Sequence, residues 1–134
     1  MSICLLSIPA FSGDAPAAVQ KAFEQKFPTV KSVKWDIGNA PEYKASFKLD
    51  GVKFSANFNE SGEWLETVTM LSFEQLPTKV KKSYNSTYSV GTAEAISKSE
   101  TSNGVTKFRM KFKHGPYGFG KVEVFYLPDG TEIN

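Results

Sequence analysis

One pattern occurs twice in this chain, and it constrains the fold more than any other feature. Residues 52–67 read VKFSANFNESGEWLET, and residues 121–134 read KVEVFYLPDGTEIN. Each is an alternating apolar run, a polar turn closing on glycine, and a new strand-like start. The match extends upstream. Pro16-x-x-Val19 corresponds to Pro77-x-x-Val80, a shift of 77 − 16 = 61. Phe47 corresponds to Phe112, a shift of 112 − 47 = 65, and Gly62 to Gly130, a shift of 130 − 62 = 68. A shift that grows along the chain is what small loop insertions in the second copy produce.

In the first copy, DAPAAVQKAFEQKF reads as a helix. Asp14 suits the N-cap and Pro16 the first turn, and Pro28 stops the helix. Val19, Ala22, Phe23, Lys26 and Phe27 fall at helical spacing, so one face is mostly apolar. VKSVKWDI then alternates, with Val33, Trp35 and Ile37 on one side. YKASFKLDGVKFSANF has the pattern of a hairpin about Asp50-Gly51, in which Tyr43, Ala45, Phe47, Leu49, Val52, Phe54, Ala56 and Phe58 share a face. Residues 59–62 turn the chain into a further strand, EWLETVTML.

The second copy opens on LPTKVKKSYNSTY, with Leu76, Val80, Tyr84 and Tyr88 every four residues opposite Lys79, Lys81 and Lys82. Strand-like AEAISKSE, an Asn103-Gly104 turn, alternating VTKFRMKFKH, a Gly-rich loop, KVEVFY and a short terminal TEIN follow. One helix on one short sheet buries little by itself. The expected fold is therefore α+β: two tandem repeats, each a helix plus antiparallel strands, about 13–72 and 73–134. They would form a single domain, 13–134, with one continuous twisted sheet, both helices on one face and the other face open.

The stretch MSICLLSIPAFSGDAP is apolar, uncharged until Asp14 and too short to span a bilayer. It has the form of a secretory h-region with Ala10 and Ser12 at the −3 and −1 positions, so residues 1–12 read as the remnant of a signal peptide. The basic n-region is missing, which an upstream start would explain. A first strand or a tail is the other reading. Cleavage would remove Cys4, the single cysteine, and leave no disulfide and no transmembrane segment in the mature chain. The expected location is periplasmic or secreted. A net charge of +2 is too mild to imply nucleic acid.

The phrases AxxxFEQKFPTVKSVKW, YKASFKLDGVKFSANFNESGEWLET and FEQLPTKVKKSY resemble the PepSY-like family of exported bacterial proteins, described as β-lactamase-inhibitor-like. The marks are Pro-x-x-Val opening a helix, Phe-Pro closing it, the Trp35 strand, the GEWLET turn and the LPxxV restart. The resemblance covers nearly all of residues 14–134. It implies export and a tandem α/β fold similar to β-lactamase inhibitory protein, whose concave sheet grips an enzyme. This chain lacks that protein's disulfide-forming cysteines, and no inhibitory loop maps onto it residue by residue.

Little in the chain points to catalysis. The single histidine, His114, stands at a strand end before GPYGFG with no recognisable partner motif, and there is no Gly-x-Ser-x-Gly elbow. One His and no mature Cys disfavour zinc. Asn57, Asn59, Ser61 and Gly62 imitate the start of a calcium loop, but Val68 stands where the bidentate carboxylate belongs. HGPYGFGK is followed by a strand, which excludes a phosphate loop.

Two features suggest contacts instead. Lys107, Arg109, Lys111 and Lys113 alternate along one strand opposite Phe108, Met110 and Phe112, with Lys44, Lys48 and Lys53 at comparable places in the first copy. They form either a solvated outer face or a basic face for an anionic partner. Tyr117 and Phe119 sit on the Gly-rich loop, as contact anchors or tucked under the sheet edge. The expectation is a non-catalytic envelope module, possessing no cofactor or metal. It would bind a protein or an anionic envelope ligand through the open sheet face and the 114–120 loop, and inhibitor-like activity is one form this could take. A small-molecule or lipid carrier, with its ligand between helices and sheet, is the alternative, and a hydrolase a weaker one.

Overall fold

The computed structural model describes residues 15–37, 42–88, 93–112 and 122–133. The proposed leader, its cleavage site, Cys4 and Asp14 lie outside them. Among the described residues there are two α-helices and one open antiparallel sheet whose eight strands follow one another in sequence order. It divides into two compact units, with the boundary after Leu65.

The first unit contains α1 (Ala17–Lys26), β1 (Lys34–Ile37), β2 (Glu42–Leu49), β3 (Val52–Asn59) and the first residues of β4 (Trp64–Leu71). Pro16 is the N-cap of α1, with extended backbone and no side-chain cap. A proline there gives up an amide that the first turn could not have paired. Val19 and Phe23 are buried, Ala22 and Phe27 half-buried, and Lys26 lies over the Trp64 ring, 4.0 Å from its centroid. The hairpin of β2 and β3 turns on Asp50 and Gly51, with φ of 51° and 81°. Positive φ at both central residues is the type I′ geometry, whose twist matches that of the strands. In register, Ala45 faces Ala56 and Phe47 faces Phe54.

Their apolar faces meet α1. Phe23 is the hub: its ring lies 5.0 Å from Phe47, 5.5 Å from Trp35 and 6.4 Å from Phe58, all edge-on. Edge-to-face packing sets the positive rim of one ring on the negative face of the next. Trp35 is buried at 7% exposure, but Ile37, on the same side of β1, is 56% exposed. Alternation puts both inward; Ile37 falls at the last residue of an edge strand, opposite Tyr43, the second residue of β2.

The second unit contains the rest of β4, a 3-10 turn (Phe73–Gln75), α2 (Thr78–Thr87), β5 (Ala95–Thr101), β6 (Thr106–Phe112), β7 (Val122–Tyr126) and β8 (Glu132–Ile133). Ser72 and Gln75 close a capping box on the 3-10 turn. Pro77 is the N-cap of α2. Leu76, Val80 and Tyr84 point into a core with Ile96, Phe108, Met110, Phe112, Val124 and Tyr126, and Tyr84 stacks on Phe112 at 5.8 Å. Burial raises the Tyr84 phenol. Burial foremost, then Glu132 and the neighbouring tyrosines, raises that of the fully buried Tyr126.

Each unit also brings a bulged turn onto its own helix. In the first, the Asn59 amide donates to the Glu63 carbonyl and the Gly62 amide to the Asn59 carbonyl, both at 2.9 Å. In the second, Leu127 donates to Thr131 and Gly130 to Leu127, again at 2.9 Å. Gly62 comes against the backbone of Ala18, and Gly130 against that of Lys79. The Ser83 hydroxyl ties down the second contact by donating to the Gly130 carbonyl at 2.6 Å.

Candidate functional site: the open face of the second unit

Period-two alternation divides β4 to β7 into a face against α2 and a face turned away from it. Phe108, Met110 and Phe112 are buried on the helix side. Lys107, Arg109 and Lys111 therefore project from the other side, where all three are partly exposed. Lys113, Tyr117, Phe119 and His114 lie outside the described residues.

Cross-strand register decides what surrounds the three cations. Arg109 faces Ser97 on β5 and Phe125 on β7, Lys107 faces Ser99, and Lys111 faces Glu123 and Ala95. One strand further out, Met70 lies opposite Ser97, Val68 opposite Ser99, and Glu66 opposite Thr101. Ile133 on β8 lies opposite Phe125. The basic stripe is thus interleaved with two carboxylates and an apolar set.

The charges on this face are largely answered within it. Arg109 pairs with Glu123, and the Ser99 hydroxyl donates to Glu66. Lys107 Nζ lies 6.0 Å from the Phe125 ring centroid, at the outer limit of a cation–π contact. Arg109 Nε is buried and has no hydrogen-bond partner among the described residues. Glu66, Val68, Ser97, Ser99, Lys107 and Phe125, with the Arg109–Glu123 pair, line a depression of about 210 Å³. Such a surface combines fixed polar groups with apolar contact area.

The second unit also has a groove of about 460 Å³ whose lining includes Met70, Leu71, Phe73, Tyr84 and Ile96 together with the polar Ser72 and Glu94. No group of three or more His, Cys, Asp or Glu residues that could hold a metal occurs among the described residues. The calcium-like start in NFNESGEW is accounted for locally. Asn59 Oδ1 accepts from the amides of Ser61 and Glu63, each at 3.0 Å, and Asn59 Nδ2 donates to Glu63 Oε1 at 2.6 Å. The side chain is committed to its own turn. No described helix is long and apolar enough to cross a membrane.

Lys107, Arg109 and Lys111 were legible from alternation alone. Glu66, Val68, Glu123 and Phe125 were not. They belong to two other strands, β4 and β7, and nothing local specifies which residue of β7 falls opposite Arg109.

The fold and this face define a class of small α+β proteins: in each unit a helix packs on antiparallel strands, and in the second unit the side turned away from the helix is a mixed polar and apolar surface. Residues 41–131 match the family model described as "Putative beta-lactamase-inhibitor-like, PepSY-like", and the chain belongs to that PepSY-like family. Its fold is shared by solved structures from Bacteroides. A protein of B. eggerthii DSM 20697, described as a putative periplasmic protein, superposes with a TM-score of 0.84 at 20% identity, over 91% of this chain and 88% of its own. A DUF2874 family protein of B. ovatus ATCC 8483 gives 0.81 at 24% identity, over 92% and 87%. A BLIP-like protein of B. fragilis NCTC 9343 gives 0.76 at 23% identity, over 90% and 84%. No curated protein matches this chain.

Proposed function

We propose that this protein is a non-catalytic module of the bacterial envelope that binds a protein partner through the open face of its second unit, extended by the 114–120 loop. The juxtaposition of Arg109 with Phe125 carries the reading. An arginine beside an aromatic ring, flanked by the apolar side chains of Val68, Met70 and Ile133, has the composition of an interface hot spot. Membership of an inhibitor-like family and likeness to a BLIP-like protein support protein binding. Likeness to a protein described as periplasmic supports the location. Inhibition of an enzyme is the specific form of binding that the family name suggests.

The test uses residues 13–134 as bait on envelope extract, followed by affinity measurement with each captured protein after purification. Arg109→Ala together with Phe125→Ala should remove the partner and leave the fold intact. A partner that binds wild type and double variant equally well overturns the reading. Assay of purified β-lactamases and peptidases against the same pair of proteins tests inhibition separately.

We further propose that residues 13–134 form one domain built from an αβ motif used twice, about 13–72 and 73–134. The support is local. In each unit a proline caps the helix, a valine three residues on is fully buried, and a glycine turn closes on the helix backbone. Residues 13–72 and 73–134 made separately should be largely unfolded, because each offers one helix on a short sheet. A cooperative melt from either fragment alone would contradict this.

A carrier is the second reading, and the groove of about 460 Å³ is what favours it. That volume lies within the range of small-molecule sites. An apolar fluorescent probe displaced by envelope lipids from wild type, with displacement lost in Phe73→Ala, would support this reading.

A further inference from the structure

On the first unit, the face of β1, β2 and β3 turned away from α1 has a different chemistry. Alternation places Lys34 and Asp36 of β1, Glu42, Lys44, Ser46 and Lys48 of β2, and Lys53, Ser55, Asn57 and Asn59 of β3 on it. None of the residues that these three strands place on this face is aromatic or aliphatic. Its two carboxylates lie at one end: Asp36 faces Lys44, and Glu42 faces Asn59.

The strand residues at the other end are cationic, with Asp36 one row from Lys34 and Asp50 in the turn beyond Lys48. Lys48 stands directly opposite Lys53. In the next row Ser46 stands opposite Ser55 and is flanked on its other side by Lys34. Directly opposed residues have Cβ atoms about 4.5–5.5 Å apart and diagonal neighbours about 7–8 Å. Lys34 and Lys53, two strands and one row apart, are separated by about 12 Å, a gap that two long lysine side chains leaning toward each other over the serines can close. All three are exposed, and none has an ion pair among the described residues. Like charges directly opposed are unfavourable in a sheet. The second unit's open face answers its arginine with Glu123, and the first unit leaves this lysine pair unanswered.

We propose that Lys34, Lys48 and Lys53, with the hydroxyls of Ser46 and Ser55, form a site for a phosphate-type tetrahedral dianion. Three ammonium groups outnumber the charge of one such group, and two hydroxyls between them supply further donors to its oxygens. Lysines bind phosphate as point charges, without the bidentate fork that arginine offers to carboxylate and phosphate alike, so charge and the two hydroxyl donors hold the group. The absence of any ring on the face argues against recognition of a sugar by stacking. The site shares no residue with the protein-binding face of the second unit and is independent of it.

The test titrates the isotope-labelled full chain with inorganic phosphate at constant ionic strength and follows the backbone amides of residues 46–55 by NMR. Phosphate should shift these amides saturably, and acetate at equal charge concentration should not. Lys48→Gln with Lys53→Gln should weaken the response about tenfold or more. Lys79→Gln with Lys82→Gln, the same charge change on α2, should leave it unchanged. Unchanged amides in wild type, or an equal response in the Lys48/Lys53 variant, overturns the site. Sedimentation with phosphatidylcholine vesicles containing phosphatidic acid then distinguishes two sources. Retention that depends on Lys48 and Lys53 assigns a lipid headgroup, and a protein left in solution assigns a soluble phosphate ester.

Discussion

Gly130 approaches Lys79 so closely that a β-carbon built on it would lie 2.6 Å from the Lys79 carbonyl oxygen. Gly62 has the same relation to Ala18, at 2.8 Å. In both units a strand-connecting turn rests on the first turns of the helix at backbone distance, and only a residue without a side chain can occupy that place. The helix is thereby held at both edges: by its apolar stripe on the sheet and by this turn.

This separates two kinds of glycine. Gly104 has a φ of +86° and open space around it, whereas Gly130 has a φ of +91° and a backbone carbonyl in the way. Gly104→Ala should cost only the backbone strain, about 1–2 kcal/mol. Gly130→Ala and Gly62→Ala should cost roughly 3 kcal/mol or more, because neither the helix nor the turn can yield locally. Denaturant unfolding of the three variants checks the order, and equal losses would show that the close approach carries no energetic weight.

Trp35 packs edge-on against Phe23 and is nearly fully buried. Trp35→Ala should cost roughly 3–5 kcal/mol, the range for removing a large aromatic from a core. Its indole N–H has no hydrogen-bond partner among the described residues, so Trp35→Phe should cost much less than alanine does. Chemical denaturation of both variants measures the difference.

The Tyr126 hydroxyl is buried and, among the described residues, has no partner. Tyr126→Phe should therefore be neutral or slightly stabilising at pH 7. Its pKa is raised in the folded chain, so the folded state keeps a proton that the unfolded chain releases above its ordinary value of about 10. Stability from this group is complete below pH 10 and is lost as pH rises beyond it. Tyr126→Phe should reduce the alkaline loss, as followed by thermal melts between neutral and strongly alkaline pH.

Substituting Lys107 and Lys111 by serine should change stability by less than about 1 kcal/mol, since partly exposed charges contribute little. Arg109→Ser should cost somewhat more, because it removes the ion pair between Arg109 and Glu123. If the face binds a protein, the Arg109 variant should lose affinity in ways that added salt does not imitate, whereas the Lys107 and Lys111 variants should mainly reduce the salt dependence. Binding isotherms at two ionic strengths separate the two effects.

Much of this fold is written locally. The period of α2 is set by Leu76, Val80, Tyr84 and Tyr88, and that of β2, β3 and β6 by strict alternation, so helix, strand and buried face follow from residues a few positions apart. Asp50-Gly51 specifies its hairpin for the same reason, because the two residues alone decide the turn. Family membership was also legible in linear motifs, since those motifs are the turns and helix ends themselves. What each surface presents was decided only in three dimensions. A residue's own strand says which face it takes, but register with a distant strand says what stands beside it. Lys48 stands opposite Lys53 by the register of their own two-residue hairpin, but Lys34 comes beside Ser46 only when β1 aligns with β2, and among the described residues none of the three lysines has an ion pair. Arg109 is fourteen residues from Glu123 and becomes one half of an ion pair only when β6 and β7 align. Ile37 shares the alternation of Trp35 and still faces solvent, because the strand ends there and the core does not extend to cover it.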